Sequence, residues 1–289
     1  MPPPPETVAA WLQSLTRDLH AAGLRQAANE AAWLTAGCLG VSVAALWRNT
    51  TQPLPPERAA HCQDARRRRL AGEPLAYILG EAEFYGLTLA VGPGTLIPRP
   101  ETEGLVELAL KQLPAPDAAA PPLLILDACT GSGAIACALA AQRSDTRVFA
   151  MELHGAALVW ACRNRDALNL TNLHLWQGDL LDAVAPTARF DLIVANPPYI
   201  PEAAWPELEP DVRDHEPVTA LLAAEHGLAV LRRLAAQAAR HLAPEAWLLC
   251  EIGHDQETTA PALLQACGLR NAHARRDLFG QPRYVLGQR

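Results

Sequence analysis

The segment "IVANPPYI", residues 193 to 200, ends an apolar run with Asn196-Pro197-Pro198-Tyr199. Proline fixes φ, lacks an N–H and drives the residue before it out of the helical region, so Asn196 and Pro197 must stay extended. A carboxamide at the carboxyl end of a strand, proline carbonyls without ladder partners and an aromatic ring then form a rigid cluster of acceptors. Such a cluster suits a planar NH2 group, which donates two hydrogen bonds and offers two faces for stacking. The lone pair of that nitrogen is delocalised and a poor nucleophile. If Asn196 Oδ1 and the Pro197 carbonyl each accept one N–H, they aim the nitrogen at an electrophilic methyl group and stabilise the positive charge it gains. Tyr199 packs on the planar group, and the acidic alkylated nitrogen sheds its proton to solvent without a separate base. The competing reading, a plain Pro-Pro turn, is disfavoured by what lies upstream.

In "LLILDACTGSGAIACALA" an apolar strand runs into Asp127-Ala128-Cys129-Thr130-Gly131-Ser132-Gly133 and then into a helical pattern. A turn of small residues at the carboxyl end of a strand is where open α/β sheets bind ligands, with helix N–H groups close by. The glycine pattern for a diphosphate is incomplete, because Cys129 occupies the first glycine position and Ala136 the last. Glu152 closes the second strand 19 residues past Gly133, where an acid accepts hydrogen bonds from ribose hydroxyls. Asp179 follows the third strand in the same way. Loop and acids together describe a nucleoside crevice without a diphosphate requirement, and S-adenosylmethionine is the common ligand of that kind.

These residues need a scaffold, and the chain supplies an alternating one. Apolar strands are expected at 123–128, 147–152, 173–178, 190–195 and 247–252, with helices at about 133–142, 155–168, 225–241 and 256–267 and two C-terminal runs after them. Continuous apolar strands alternating with helices mark a parallel sheet covered on both faces. Residues 7 to about 72 show helical spacing only: Val8, Trp11, Leu12, Leu15 and Leu19, then Ala32, Trp33, Ala36 and Leu39. Between the two, aromatic and β-branched runs broken by Gly86 and Gly92-Pro93-Gly94 suggest a hairpin. The expected division is a helical domain over 1–75, a connecting hairpin over 76–100 and an α/β domain over 101–289.

Composition narrows the function classes. Half of the 289 residues are hydrophobic and 19% are charged, which is globular. Seven cysteines without a CxxC pair, and nine histidines without an HxxxH spacing, indicate neither a disulfide framework nor a metal site. A reducing, cytoplasmic compartment fits, and no leader or spanning segment is expected. A net charge of -7 argues against a large affinity for phosphate backbones. The run Arg66 to Arg69 reads as a solvated helix face, with an acidic partner surface as the alternative. Arg99, Glu101 and Glu103 read either as an ion network at a helix start or as part of a substrate mouth. Glu251 falls near the crevice with no assignable role.

"NPPYI", "DACTGSGAIA", "GEAEFYGLTLAVGPGTLIPRPETE" and "RRDLFGQPRYVLG" together resemble the protein glutamine N5-methyltransferases of the PrmC/HemK type, most strongly over residues 60 to 289. The resemblance implies an α/β fold, a Rossmann-like seven-stranded class I methyltransferase domain with a small N-terminal helical bundle and a connecting β-hairpin. It implies S-adenosylmethionine as cofactor and, as partner and substrate, a class 1 peptide chain release factor, methylated on the glutamine of its Gly-Gly-Gln motif. Cofactor contacts are implied at Asp127, Cys129, Thr130, Gly131, Ser132, Gly133, Glu152, Asp179, Leu180 and Asn196. Substrate contacts are implied at Asn196, Pro197, Pro198 and Tyr199, with Asn196, Pro197 and Tyr199 as the catalytic set. The family often has glycine in place of Cys129 and aspartate in place of Glu152, and some members place a tryptophan beside the adenine where this chain has Leu180. A monomer without metal is expected. The competing activity is an amino methyltransferase acting on DNA or RNA, which would need a basic stripe that the acidic total does not promise.

Overall fold

A computed structural model describes residues 7–116 and 119–289, and within it the chain forms two compact units. The first runs to Glu81 and takes in the distant segment Glu209–His215; the second comprises Ala82–Leu208 and Glu216–Arg289. The boundary thus falls between Glu81 and Ala82, and the β-hairpin is almost wholly part of the second unit.

The first unit is helical: Val8–Ala21, Ala27–Leu39, Val43–Arg48, Pro56–Leu70 and Leu75–Leu79. Val8, Trp11, Leu12, Leu15 and Leu19 make one buried stripe on the first helix, which Thr7 caps by accepting the Ala10 N–H at 3.2 Å. The second helix departs from its expected face. Trp33 is 43% exposed, while Thr35 is buried and its hydroxyl accepts the indole N–H of Trp11 at 3.0 Å. A buried indole donor requires an acceptor, and that requirement sets the rotation of the helix in place of the most apolar stripe.

The arginine run is also not a solvated face. Arg66 pairs with Asp18, Arg68 with Glu73 and Arg69, 7% exposed, with Glu30 at 2.6 Å; only Arg67 stands well out in solvent. The side chains are spent on holding the helices of this unit together, which removes most of the charge that a partner surface would have to find.

In the second unit, β1 (Glu81–Phe84) and β2 (Leu87–Ala90) form the hairpin, and seven further strands form one sheet: β3 (Leu123–Asp127), β4 (Thr146–Glu152), β5 (Leu173–Gln177), β6 (Phe190–Ala195), β7 (Leu242–Glu251), β8 (Arg270–Arg276) and β9 (Pro282–Gln288). Their order is β5-β4-β3-β6-β7-β9-β8, parallel throughout except for β9, which runs antiparallel to both neighbours. The chain moves outward from β3 through β4 to β5 and then returns to lay β6 on the other side of β3. That reversal opens a crevice beyond the carboxyl ends of β3 and β6. Core residues on both faces, Leu105, Leu139 and Val194 on one and Leu126, Ile193 and Leu248 on the other, account for the unbroken apolar strands.

Two boundaries differ most from the sequence expectation. The helix expected over 225–241 begins only at Ala229, because Glu225 and His226 both take left-handed backbone conformations. The strand expected over 247–252 starts at Leu242, with a register shift that bulges the residues before Trp247 and puts Glu245 at φ +64°. Among the described residues no helix is long and apolar enough to cross a membrane.

Candidate active site

The crevice is walled by four strand ends. After β3, the turn reaches Gly131 at φ +55° and Gly133 at φ +85°, a left-handed conformation that favours glycine at both positions. They do different jobs. A Cβ on Gly131 would meet nothing within 4 Å, so the backbone there is open to a ligand. A Cβ on Gly133 would lie 3.2 Å from the Ala161 backbone, so this residue lets the helices Ala134–Gln142 and Gly155–Ala167 approach each other. Gly133→Ala is therefore expected to destabilise the fold by roughly 1 to 3 kcal/mol through left-handed strain and overpacking, read by urea unfolding; an unchanged midpoint would remove Gly133 from the packing role.

Glu152, ending β4, is 9% exposed and fixes the turn. Its Oε2 accepts the Gly131 N–H at 2.8 Å and its Oε1 accepts the His154 N–H at 2.9 Å. Each oxygen keeps a second lone pair. Asp179, beyond β5, is ion-paired to Arg233 at 2.8 Å near the crevice rim. Asn196, ending β6, donates Nδ2 to Thr102 Oγ1 at 3.2 Å.

The crevice brings together Cys129, Thr130, Gly131, Ser132, Glu152, Asp179, Leu180, Asn196 and Pro198. It does not bring Asp127, Gly133, Pro197 and Tyr199 to its wall. Asp127 lies fully buried beneath the turn, where its Oδ2 accepts the Thr130 hydroxyl at 2.6 Å. Pro197 is buried, and the Tyr199 hydroxyl donates to Glu251 Oε1 at 3.1 Å while its carbonyl accepts from Gln256 Nε2 at 3.2 Å. Burial, with the Glu152 carboxylate beside it, pushes the Cys129 thiol well above its usual value, which disfavours the thiolate.

Burial also pushes the Asp127 carboxyl up to about 7, against the opposing pull of the Thr130 hydroxyl. A carboxyl whose folded value lies above its unfolded value, about 3.9, gives stability that is full below the unfolded value and lost as pH rises through the folded one. Raising pH from 5 to 8 should thus lower the stability of the wild type relative to Asp127→Asn by on the order of 2 kcal/mol, measured by urea unfolding. A difference that does not change with pH would mean that the carboxylate is ionised throughout.

The donor set fits a cationic nucleoside better than a nucleotide. Glu152 already occupies the Gly131 N–H that a phosphate would need, and both arginines on the wall are engaged, Arg99 with Glu216 and Arg233 with Asp179. Glu152 offers paired acceptors to ribose hydroxyls. Asp179 offers one to an amino group, and Ile135, Leu180 and Val230 supply apolar wall. These features match S-adenosylmethionine, whose ammonium and sulfonium groups suit a crevice lined by carboxylates.

Two family models match the chain: the PrmC N-terminal domain over residues 10–80 and the methyltransferase small domain over 107–206. The release factor glutamine methyltransferase of Geobacter sulfurreducens is 39% identical over 92% of this chain and 91% of its own length; that of Vibrio cholerae is 40% identical over 98% and 96%. The chain belongs to the release factor glutamine methyltransferase family. A solved methyltransferase from Pyrococcus furiosus, 18% identical over 78% of this chain and 98% of its own, shares the fold with a TM-score of 0.52.

Within this family member, sequence reasoning missed part of the wall. The strap Leu96–Arg99 lines the crevice, tied down where Glu216 Oε2 accepts the Ile97 N–H at 3.1 Å and Oε1 accepts from Arg99. Arg99 therefore combines both of its expected roles, ion pair and wall residue. Glu101 and Glu103 do not line the crevice: the Glu101 carbonyl accepts the Tyr284 hydroxyl at 2.6 Å, and Glu103 accepts the Tyr85 N–H of the hairpin at 2.7 Å. The prolines of "LIPRP" were the available signal of a rigid extended strap. Thr219, Ala220 and Val230 carried none, since only the sheet topology brings residues so far along the chain to β3.

Proposed function

We propose that this chain transfers the methyl group of S-adenosylmethionine to the side-chain amide nitrogen, N5, of the glutamine in the Gly-Gly-Gln motif of class 1 peptide chain release factors. Family membership supports the substrate. The chemistry rests on one observation: neither Asn196 Oδ1 nor the carbonyl of buried Pro197 accepts a hydrogen bond from a described residue. Acceptors left without protein partners at a part-buried site are open to a ligand, and a carboxamide NH2 has the two donors to meet them.

The bound cofactor supplies an electrophilic sulfonium methyl. Gly131 offers open backbone to it, Glu152 receives the ribose hydroxyls, Asp179 and Leu180 hold the base, and Cys129, Thr130 and Ser132 shape the turn. Asn196 and Pro197 orient the amide nitrogen and stabilise the charge that develops on it. Pro198 walls the site, and Tyr199, which does not reach the wall, braces the segment through its hydroxyl bond to Glu251. The proton leaves to solvent after the C–N bond has formed.

Purified protein incubated with cofactor and either a release factor or ribosomal and transfer RNA, followed by mass spectrometry, tests this reading. The expected product is a single added methyl on the Gly-Gly-Gln glutamine. Methylation of RNA alone would replace it with a nucleic-acid activity.

A further inference from the structure

The two ends of a carboxamide are nearly isosteric, so which end of Asn196 faces a substrate depends on the bonds that the other end makes. Those bonds run through a buried chain that the reaction as described does not use. Asn196 Nδ2 lies 3.2 Å from Thr102 Oγ1, Thr102 Oγ1 lies 2.6 Å from Glu251 Oε2, and the Tyr199 hydroxyl lies 3.1 Å from Glu251 Oε1. Glu251 ends β7 and is 1% exposed; Thr102 lies in the first turn of the helix Pro100–Gln112 and is 4% exposed.

In its ionised form the Glu251 carboxylate only accepts hydrogen bonds, and the single hydroxyl proton of Thr102 then goes to Glu251. The Thr102 oxygen can then only accept from Asn196, and the Asn196 atom facing it must be the NH2. Oδ1 is left over, and the side chain presents an acceptor. Reversing any one link reverses the rest: a donor in place of the Glu251 oxygen would turn the Thr102 proton toward Asn196 and the NH2 toward the substrate.

We infer that Glu251, acting through Thr102, is a positioning residue that sets the direction of the Asn196 carboxamide, so that the site accepts a substrate NH2 and rejects a substrate carbonyl or carboxylate. The inference rests on the proposal that Asn196 receives the glutamine amide. It explains why a carboxylate is kept buried at the end of β7, where leaving it charged is costly. Arg283 on β9 and the hydroxyls of Thr102 and Tyr199 offset part of that cost, while Glu101 adds to it.

The test compares steady-state methylation of a release factor by the wild type, Thr102→Val, Thr102→Ser and Glu251→Gln, each checked by thermal unfolding. Thr102→Val keeps the volume but cuts the chain, and is expected to lower kcat on the order of 10- to 100-fold with KM for the release factor changed by less than about threefold, because misdirection of one group impairs alignment more than docking. Thr102→Ser restores the hydroxyl and should return kcat to within about threefold of wild type. Burial raises the Glu251 carboxyl above the ordinary range, so wild-type kcat should fall on acidification through that raised value as the carboxyl becomes a donor, and Glu251→Gln should lack this limb. Wild-type kcat in Thr102→Val, no recovery in Thr102→Ser, or an unchanged acid limb in Glu251→Gln, each with an active wild type, would overturn the inference. A wild type inactive on the release factor would overturn the functional reading and the inference with it.

Discussion

Asn196→Ala is expected to cut methyl transfer to the release factor by about 10²- to 10³-fold in kcat, equivalent to roughly 2.7 to 4 kcal/mol, the usual cost of losing one preorganised group aimed at transition-state charge. The side chain sits at the open end of the sheet, partly buried, with one hydrogen bond to Thr102, so its removal leaves no cavity in the core. The variant should unfold near the wild-type midpoint and still bind cofactor, since Glu152 and Asp179, the acceptors proposed for the ribose and the amino group, are untouched. Asn196→Asp keeps an acceptor oxygen of similar reach but has no NH2 for Thr102, whose proton is committed to Glu251. It should retain more activity than the alanine variant and less than wild type. An alanine variant with wild-type turnover would remove Asn196 from the chemistry.

Glu152→Ala should weaken binding of S-adenosylmethionine by roughly 1.5 to 3 kcal/mol, or about 10- to 150-fold in Kd by calorimetry, the range for hydrogen bonds to a charged group. On the proposed assignment the loss is twofold in kind. The ribose loses its acceptors, and the Gly131 and His154 N–H groups lose the carboxylate that fixes the turn. Glu152→Gln tests the second part, because its NH2 must face one of two backbone donors. It should bind more weakly than wild type despite its matching size. Equal affinity for Glu152→Gln would show that the turn holds without the carboxylate, and unchanged affinity in both variants would take Glu152 out of the site.

The sequence by itself determined the fold class and most of the crevice, for a local reason. Strand ends in a parallel sheet are marked by the residues that stop them, and Cys129 to Ser132, Glu152, Asp179 and Asn196 each follow directly on an apolar run. Once the strands are parallel, every such terminus points to the same edge, so their convergence follows from periodicity alone. Asp127 and Gly133 belong to the same motif, yet only the tertiary structure separated their bracing and packing duties from ligand contact, because burial depends on the neighbouring helix and not on spacing. The rotation of the helix carrying Trp33 was decided by the unmet donor on Trp11, and the fate of Arg66 to Arg69 by acids as far along the chain as Asp211. The chain from Glu251 through Thr102 to Asn196 joins residues separated by as many as 149 positions. No local pattern encodes such a contact; the stacking of a helix start against the ends of β6 and β7 creates it.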